Sequence, residues 1–288
     1  MDSGIDSTHP DFKGEDRIKW KEAKTWIGGD PNVDTCGHGT HVAGIILELT
    51  KSVDLYIGKI TETRMCKDKE QIAKVMRRQP SPPTPWLALT TTKAINHART
   101  QWGVDMISLS FGFNEPVTGI LKEIDDCINA GIIVFAAASN DGGNLSRTYP
   151  ARWDRVFCIH SATGEGNKAS FNPSPIDKEY NFSVVGDCIN STWPSNSLNK
   201  AGGKKYMSGT SFATPVAVSI AAFMIAYIQK KKPDQIWKIN PKSPKGVKAI
   251  FQLMADERDK YDWISPQRYF KAYREAKILA DIDHALNG

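Results

Sequence analysis

The stretch Gly209–Pro215 reads Gly-Thr-Ser-Phe-Ala-Thr-Pro and places a serine at the start of a long apolar segment. Two other short stretches, Gly37–His41 (Gly-His-Gly-Thr-His) and Asp2–Gly4 (Asp-Ser-Gly), supply histidines and an aspartate. A serine hydroxyl is a weak nucleophile at neutral pH. It needs a base within hydrogen-bond reach, and that base needs an anion that fixes its tautomer. The three stretches therefore predict a nucleophilic triad in the chain order aspartate, histidine, serine.

Each member of this triad has its own local signal. Ser211 is the predicted nucleophile, because Pro215 fits the first turn of the following helix and a helix N-terminus stabilises nearby negative charge. His38 and His41 are both candidates for the base, since residues three apart lie on a similar helical face. Asp2 is the predicted carboxylate that orients the base. Read in isolation, Ser211 could be only a helix cap, and the Asp2 stretch only a terminal turn.

The three stretches resemble the motifs of the subtilisin-like serine proteases (subtilases, peptidase S8). That family marks its aspartate with Asp-Ser/Thr-Gly, its histidine with His-Gly-Thr-His-Val-Ala-Gly and its serine with Gly-Thr-Ser-x-Ala-Thr-Pro. The matching segments here are Asp2–Gly4, His38–Gly44 and Gly209–Pro215, in the chain order of subtilisin. The resemblance extends from Asp2 to Tyr227, and it implies that His38 rather than His41 is the base.

The resemblance also implies the residues that would surround the substrate. Asn140 takes the place of the family's oxyanion-hole asparagine, a donor aimed where negative charge develops, together with the backbone N–H of Ser211. Thr148 stands where the family often has glycine, so we expect a shorter specificity pocket that favours small or medium apolar side chains. Phe111 could equally be a core residue. The implied substrate-binding residues are Ser108, Leu109, Ser110, Phe111, Gly112, Ala137, Ala138, Ser139 and Thr148.

Length and periodicity predict one large α/β domain. The chain has 288 residues, of which 40% are hydrophobic and 24% charged, as in soluble globular proteins. Strands alternate with helical patterns, which predicts a doubly wound, mostly parallel sheet flanked by helices with its site at the carboxyl ends of the strands. The predicted elements are a helix over 37–49, a strand over 54–60, a strand over 105–110, a helix over 117–130 and a buried strand over 132–138.

Two domain-level features are predicted. Residues 1–230 form the peptidase domain, and residues 231–288 form a C-terminal helical extension that packs on it or links from it. The apolar run 216–228, interrupted by Ser219, is predicted to be a core helix rather than a membrane span.

The N-terminal region departs from the family. In subtilases the aspartate ends a buried strand, whereas only Met1 precedes Asp2 here, and no inhibitory propeptide precedes it. We therefore expect the sheet to lack its first strand, as in a fragment or a chain with a misplaced start codon. The linker 49–53 is too short for the family's usual calcium loop, so no metal site is predicted.

The segment 75–93 contains four prolines between Pro80 and Pro85, which forbid a helix there. Both flanks have helical patterns. If Lys74 is joined to Ala94, the apolar residues of the two flanks fall on one face of a single helix. We therefore predict that 75–93 is an insertion, either a surface loop or translated intron sequence. The alternative is a functional loop beside the substrate groove.

Charge and cysteine content narrow the function classes. The net charge of +5 is mild, so no nucleic-acid partner is predicted, and no membrane or cofactor is implied. Five cysteines cannot form a fully paired disulfide framework, and none has metal-site spacing. Reduced thiols and the lack of a signal peptide favour an intracellular location. Three glycosylation sequons, at Asn144, Asn181 and Asn190, point the other way.

These observations favour a serine endopeptidase that acts on protein or peptide substrates, as a monomer or as a module of a longer chain. Two alternatives remain open at this stage. One is an inactive subtilase-fold module that binds peptides within a larger regulatory protein. The other is an esterase that uses the same triad.

Overall fold

The computed structural model describes residues 1–62, 85–194 and 203–288. Short 3₁₀ turns lie at Pro10–Phe12 and Trp20–Glu22, and a π-helical turn, Ala98–Trp102, follows the second helix. The helices are α1 (His38–Leu49), α2 (Pro85–His97), α3 (Thr118–Asn129), α4 (Thr210–Lys231), α5 (Pro244–Leu253), α6 (Pro266–Ala272) and α7 (Glu275–Asn287). The strands are β1 (Lys24–Thr25), β2 (Gly58–Lys59), β3 (Met106–Leu109), β4 (Ile133–Ala137), β5 (Phe157–Ala162), β6 (Phe182–Val185), β7 (Ile189–Thr192), β8 (Lys204–Met207), β9 (Ala255–Arg258) and β10 (Tyr261–Ile264).

A six-stranded central sheet organises the molecule, with strand order β3-β4-β5-β6-β10-β9. Every neighbouring pair is parallel except β10 and β9, which are antiparallel. Two small sheets accompany it, a parallel pair β1-β2 and an antiparallel pair β7-β8. The predicted α/β class with a mostly parallel, helix-flanked sheet is confirmed.

Strand β4 shows why the central strands are continuously apolar. All five of its residues are buried. Ile133 and Phe135 belong to the core cluster that contains residues of α1 and α4, whereas Val134 and Ala136 belong to the cluster with residues of α2 and α3. Successive side chains of a strand point to opposite faces, so helices on both faces require apolar residues at every position.

Most of the elements expected around the site are confirmed. The predicted helices over 37–49 and 117–130 are α1 and α3, and the predicted strands over 105–110 and 132–138 are β3 and β4. The predicted strand over 54–60 is shorter than expected, with β2 at its end and an isolated bridge between Leu55 and Ile18.

The C-terminal segment after residue 230 is not purely helical, which corrects the predicted boundary. Strands β9 and β10 lie in this segment, and β10 pairs with β6 through Asp262–Phe182 and Trp263–Ser183. Helices α5 and α7 contribute Phe251 and Leu286 to the same core cluster as α4. The segment is therefore part of the main sheet and core rather than an appendage.

The prediction of an insertion over residues 75–93 is wrong for its second part, residues 85–93. Residues 85–93 are the first part of α2, and Thr90 and Thr91 are buried, so this part is neither a loop nor an interruption of the helix. Pro85 stands at the first helical position, where the missing N–H costs nothing. The remainder of the predicted insertion, residues 75–84, lies outside the described residues.

A cavity of about 710 Å³ separates β2 from β3. In the described part of the chain, no strand lies between these two, and residues 1–2 bridge them at one end. The Met1 ammonium donates to the Ser108 carbonyl at 3.1 Å. The Asp2 N–H donates to the Gly58 carbonyl, and the Ile60 N–H donates to the Asp2 carbonyl, each at 2.9 Å. Asp2 is thereby held at the edge of β2.

Helix α4 is the one helix among the described residues that is long and apolar enough to cross a membrane. Of its apolar window, 78% is buried inside the protein. Its residues Phe212, Ala217 and Met224 are almost wholly buried in the core cluster. A helix that is apolar all round and packed in this way has the character of a central core helix.

Candidate active site

Asp2 and His38 form a close pair across 36 positions of sequence. The Nδ1 atom of His38 lies 2.7 Å from Oδ1 and 2.9 Å from Oδ2 of Asp2, so the ring donates from Nδ1 to the carboxylate. Burial opposes ionisation of Asp2, but the charge and hydrogen bond of His38, together with the Met1 ammonium and the Ser3 N–H, hold the pKa of the carboxyl below its ordinary value. This contact assigns the proton to Nδ1 and leaves Nε2 as the basic nitrogen.

The position of His38 follows from its place in the first turn of α1. Gly37 precedes it with φ +87°, and an added Cβ there would lie 2.6 Å from the ring of Trp193. At Gly39, an added Cβ would lie 2.2 Å from the Gly4 carbonyl oxygen, so only glycine lets α1 approach the Asp2 loop. The Ser3 hydroxyl accepts from the Gly39 N–H at 2.9 Å and donates to the Asp2 carboxylate at 3.3 Å.

His41, the other candidate base, occupies a different environment. Its side chain is fully buried, and Nε2 donates to the Lys205 carbonyl at 2.9 Å. Its ring makes an edge contact with Phe212, with centroids 4.7 Å apart. Burial lowers the pKa of His41 to about 4, so it is neutral at pH 7. The carboxylate of Asp2 contacts His38, and His41 packs as a structural histidine.

Ser211 lies in the first turn of α4 and is 4% exposed. Its hydroxyl donates to the Ser110 carbonyl at 3.0 Å, and the Ser110 hydroxyl donates to the Ser211 carbonyl at 2.9 Å. The next residue, Phe212, packs against the ring of His38 with centroids 5.1 Å apart. The start of α4, the segment that directly follows β3 and the Asp2–His38 pair thus meet at one place.

Asn140 follows β4 and faces the same helix terminus. Its Oδ1 accepts from the Thr210 N–H at 2.8 Å and from the Thr210 hydroxyl at 3.1 Å. With Oδ1 held in this way, the Nδ2 donor is turned toward Gly209, where an added Cβ would lie 3.2 Å from it. Because the first N–H groups of a helix have no partner within the helix, the Ser211 N–H is a second donor close to that amide.

Apart from Thr148, the expected substrate-binding residues lie at the ends of two neighbouring strands, β3 and β4, and directly after them. Leu109 and Phe111 pack in the core cluster that contains α2 and α3, so the side chain of Phe111 is a core residue. Ser108 lies within β3, and its carbonyl accepts from the Met1 ammonium. Ser110 contacts Ser211 through two hydrogen bonds, and the Ser139 carbonyl accepts from the hydroxyl of the neighbouring Thr210 at 3.2 Å.

Thr148 closes the space between these two strand ends. Its N–H and hydroxyl donate to the Ala138 carbonyl, at 2.9 and 3.3 Å. An added Cβ on Gly112 would lie 2.0 Å from the Thr148 hydroxyl oxygen, so the threonine side chain lies directly against that glycine. The methyl and hydroxyl of Thr148 therefore occupy space that a glycine would leave open.

Two buried charged residues beside the site were missed from the sequence. Asp34 is 3% exposed and accepts hydrogen bonds from the turn that leads into α1. Lys59, the bridge partner of Asp2, is 2% exposed, and its ammonium donates to the Val33 carbonyl at 2.8 Å. An acidic residue shortly before a predicted helix start is a signal that could have identified Asp34. No such local signal exists for Lys59.

The part of the chain that the structure describes holds no metal-binding group of side chains, and its two buried cysteines are unreactive. There, no group of three or more His, Cys, Asp or Glu side chains is placed to hold a metal ion. Cys36, Cys127, Cys158 and Cys188 are free thiols. Burial raises the pKa of Cys127 to about 11 and that of Cys158 to about 12, so both are protonated and unreactive at neutral pH.

Comparison with known proteins gives a consistent result. The profile of the Subtilase family, peptidase S8, matches residues 1–259. Subtilisin NAT of Bacillus subtilis subsp. natto is 28% identical over 229 residues, which cover 78% of this chain and 54% of that protein. Subtilisin-like protease het-Q2 of Podospora anserina is 33% identical over 207 residues, which cover 69% of this chain and 51% of that protein. The chain therefore spans about half the length of these relatives.

The fold is also similar to that of a solved structure. The structure of the prenylagaramide maturation protease PagA superposes with a TM-score of 0.65 at 22% sequence identity, and the match covers 100% of this chain and 92% of that one.

Proposed function

This chain belongs to the subtilase family of serine proteases, and we propose that it is an endopeptidase that cleaves peptide bonds through an acyl-enzyme. The observation that carries the proposal is the 2.7 Å contact between Asp2 and His38 beside the helix terminus that bears Ser211. In the proposed roles, Ser211 is the nucleophile, His38 the general base, and Asp2 the anion that orients it. Asn140 and the Ser211 N–H are the oxyanion donors.

Acylation begins when the Ser211 hydroxyl leaves the Ser110 carbonyl and donates to Nε2 of His38. As Oγ attacks the substrate carbonyl carbon, the proton moves to Nε2, and Asp2 stabilises the imidazolium through Nδ1. The substrate oxygen becomes negative and accepts from Asn140 Nδ2 and the Ser211 N–H. The imidazolium then gives its proton to the amine, which leaves as the C–N bond breaks.

Deacylation repeats these steps with water. Nε2 takes a proton from a water molecule that attacks the acyl carbon, the same donors hold the oxyanion, and the proton returns to Ser211 as the ester bond breaks. In both half-reactions the carbonyl carbon reacts beside the N-terminus of α4, which bears Ser211. The helix dipole stabilises the negative charge that develops on the carbonyl oxygen.

Substrate binding is proposed along the strand ends beside Ser211. An extended peptide pairs with the backbone of residues 108–112 on one side, and its side chain enters the space between this segment and residues 137–139. Backbone pairing of this kind gives affinity with little dependence on sequence. The side chain next to the cleaved bond then carries most of the selectivity, because Thr148 limits the depth available to it.

The function is tested by comparing hydrolysis of a chromogenic peptide amide and the matched ester by the wild-type chain. We expect turnover of both, with Ser211→Ala inactive on each. Turnover of the ester alone would identify an esterase. A second candidate, an inactive peptide-binding module, is favoured by the engagement of the Ser211 hydroxyl with the Ser110 carbonyl. A folded wild-type chain that binds peptides without turning over either substrate would establish it.

Replacing Asn140 by leucine is expected to lower kcat by on the order of 10²–10³ with little change in KM, because the lost donor acts on the transition state. The kinetic constants are measured on the peptide amide, and thermal unfolding is followed in parallel because Oδ1 also holds the Thr210 N–H. A kcat within about threefold of wild type would contradict the role of Asn140 in the oxyanion hole.

Replacing Thr148 by glycine is expected to deepen the pocket and shift the preference toward larger side chains. One methylene in an apolar pocket changes selectivity by roughly 10-fold or more. The kcat/KM ratio for phenylalanine over alanine next to the cleaved bond should therefore rise by about that factor, and by less in Thr148→Ser. An unchanged ratio in Thr148→Gly would show that this side chain does not limit the pocket.

A further inference from the structure

We propose that Asp34 is a positioning residue for His38 and that it acts through the Thr40 hydroxyl, which links α1 to the loop carrying Asp2. The proposal rests on the proposed function, since it concerns the geometry of the same base and carboxylate. It assigns a role to two buried polar side chains that do not themselves touch a substrate.

The Asp34 carboxylate accepts hydrogen bonds from N–H groups at the start of α1. Its Oδ1 accepts from the Cys36 N–H at 3.0 Å and from the Gly37 N–H at 2.8 Å. Its Oδ2 accepts from the Thr40 N–H at 2.9 Å and from the Thr40 hydroxyl at 2.7 Å. One carboxylate thus fixes the residues on both sides of His38, which lies between Gly37 and Thr40.

The Thr40 hydroxyl connects Asp34 to the loop that carries Asp2. Having donated its proton to Asp34, the oxygen accepts from the Asp6 N–H at 3.0 Å. Asp6 lies four residues after Asp2 on a short loop whose Ile5 N–H donates to the Pro31 carbonyl at 3.1 Å. Thr40 is fully buried and Asp6 is 5% exposed, so water does not replace these bonds.

The direction of each bond in this chain is fixed by chemistry. A carboxylate only accepts and a backbone N–H only donates, so the Thr40 hydroxyl must donate to Asp34 and accept from Asp6. Removing the polar group of Asp34 or of Thr40 leaves a buried donor without its acceptor. At a solvent-exposed helix terminus, water would take the place of the lost acceptor. The linkage therefore sets one relative position of α1 and the Asp2 loop.

The pKa of the Asp34 carboxyl depends on its surroundings, which include the Asp2 carboxylate. Burial raises the pKa of its carboxyl, and the nearby Asp2 carboxylate raises it further, while the bonds from Thr40 and Gly37 lower it. The Lys59 ammonium donates to the carbonyl of Val33, the residue before Asp34, at 2.8 Å. Among the described residues, Asp34 is thus held by backbone N–H groups and the Thr40 hydroxyl rather than by a cationic side chain.

Thr40→Val tests the proposal, because valine keeps the shape of threonine and removes the hydroxyl. The matched control is Thr50→Val at the opposite end of α1, where the one hydrogen bond of the hydroxyl within the described residues is that which it accepts from the Ser52 N–H at 3.3 Å. Thr40→Ser restores the hydroxyl, and Asp34→Asn replaces one acceptor oxygen by a donor. Each variant is characterised by thermal unfolding, by kcat and KM on a peptide amide, and by the deshielded proton NMR signal of His38 Nδ1–H.

We expect kcat of Thr40→Val to fall by on the order of 10- to 100-fold at unchanged KM, since small misplacements of catalytic groups have effects of this size. The His38 signal should broaden or vanish in Thr40→Val and Asp34→Asn, and both readouts should recover in Thr40→Ser. Equal losses of kcat in Thr40→Val and Thr50→Val at equal loss of thermal stability would overturn the proposal.

The NMR signal keeps this proposal separate from the proposed function. If the wild-type chain shows the signal but no turnover, the proposed function fails. The positioning role then stands if the signal is lost in Thr40→Val and retained in Thr50→Val. A signal retained in both variants, or absent from the wild-type chain, overturns the positioning role whatever the activity.

Discussion

Replacing Ser211 or His38 by alanine is expected to abolish acylation, and the double variant is expected to be no less active than either single one. The loss in kcat should be on the order of 10⁶-fold for each, the magnitude known for subtilisin. The two groups act as one unit, because the hydroxyl is a nucleophile only while the imidazole accepts its proton. Once either is removed, the other has nothing left to contribute.

The measurement is peptide amide turnover by the two single variants and the double variant, purified in parallel with the wild type. Near-native thermal unfolding shows that each variant is folded. Losses that multiply in the double variant would show that Ser211 and His38 act independently. An active Ser211→Ala protein would show that Ser211 is not the nucleophile.

Replacing Asp2 by asparagine is expected to lower kcat by on the order of 10⁴-fold while leaving the fold intact. Asparagine has the size of aspartate, but its neutral amide cannot stabilise the imidazolium, and its donor group opposes the Nδ1–H of His38. The ring then favours the tautomer with the proton on Nε2, which cannot accept from Ser211.

Asp54→Asn is the control for the Asp2 substitution. Asp54 is exposed and pairs with Lys19 at 2.7 Å on the surface, so its loss should leave kcat unchanged. Retention of most of the activity in Asp2→Asn would show that a different group orients His38.

The helices and strands that carry the site could be predicted because their signals are local. The helix that begins at His38 and the buried strand β4 follow from apolar periodicity over short windows. The choice between His38 and His41 could not be made in this way, because it depends on a contact with Asp2 that spans 36 positions. Only the resemblance to a family pointed to His38 beforehand.

The C-terminal strands were missed for a physical reason. Strand β9, Ala255–Arg258, is an edge strand with charged, partly exposed residues, as is common where a sheet must avoid pairing with other chains. Strand β10 is only four residues long, so its pattern is too short to separate from a loop. Its partner β6 lies some 80 positions earlier, as the Asp262–Phe182 pairing shows.

The buried carboxylate of Asp34 was missed although its position is local. Asp34 stands three residues before the Gly37 that precedes α1, so it caps the helix from outside the usual cap position. A sequence pattern shows an acidic residue near a helix start. It does not show that both carboxylate oxygens are occupied, or that Thr40 joins them to Asp6.

Labelling with a fluorophosphonate probe tests the central claim most directly, because the probe reacts only with a serine activated by its base. The wild-type chain, Ser211→Ala, His38→Ala and a heat-unfolded sample are treated in parallel, and the labelled residue is identified by peptide mass spectrometry. We predict a single adduct on Ser211 in the folded wild type and none in the other three samples. Absence of labelling in the folded wild-type chain, or an adduct that persists in His38→Ala at the wild-type rate, would contradict the account.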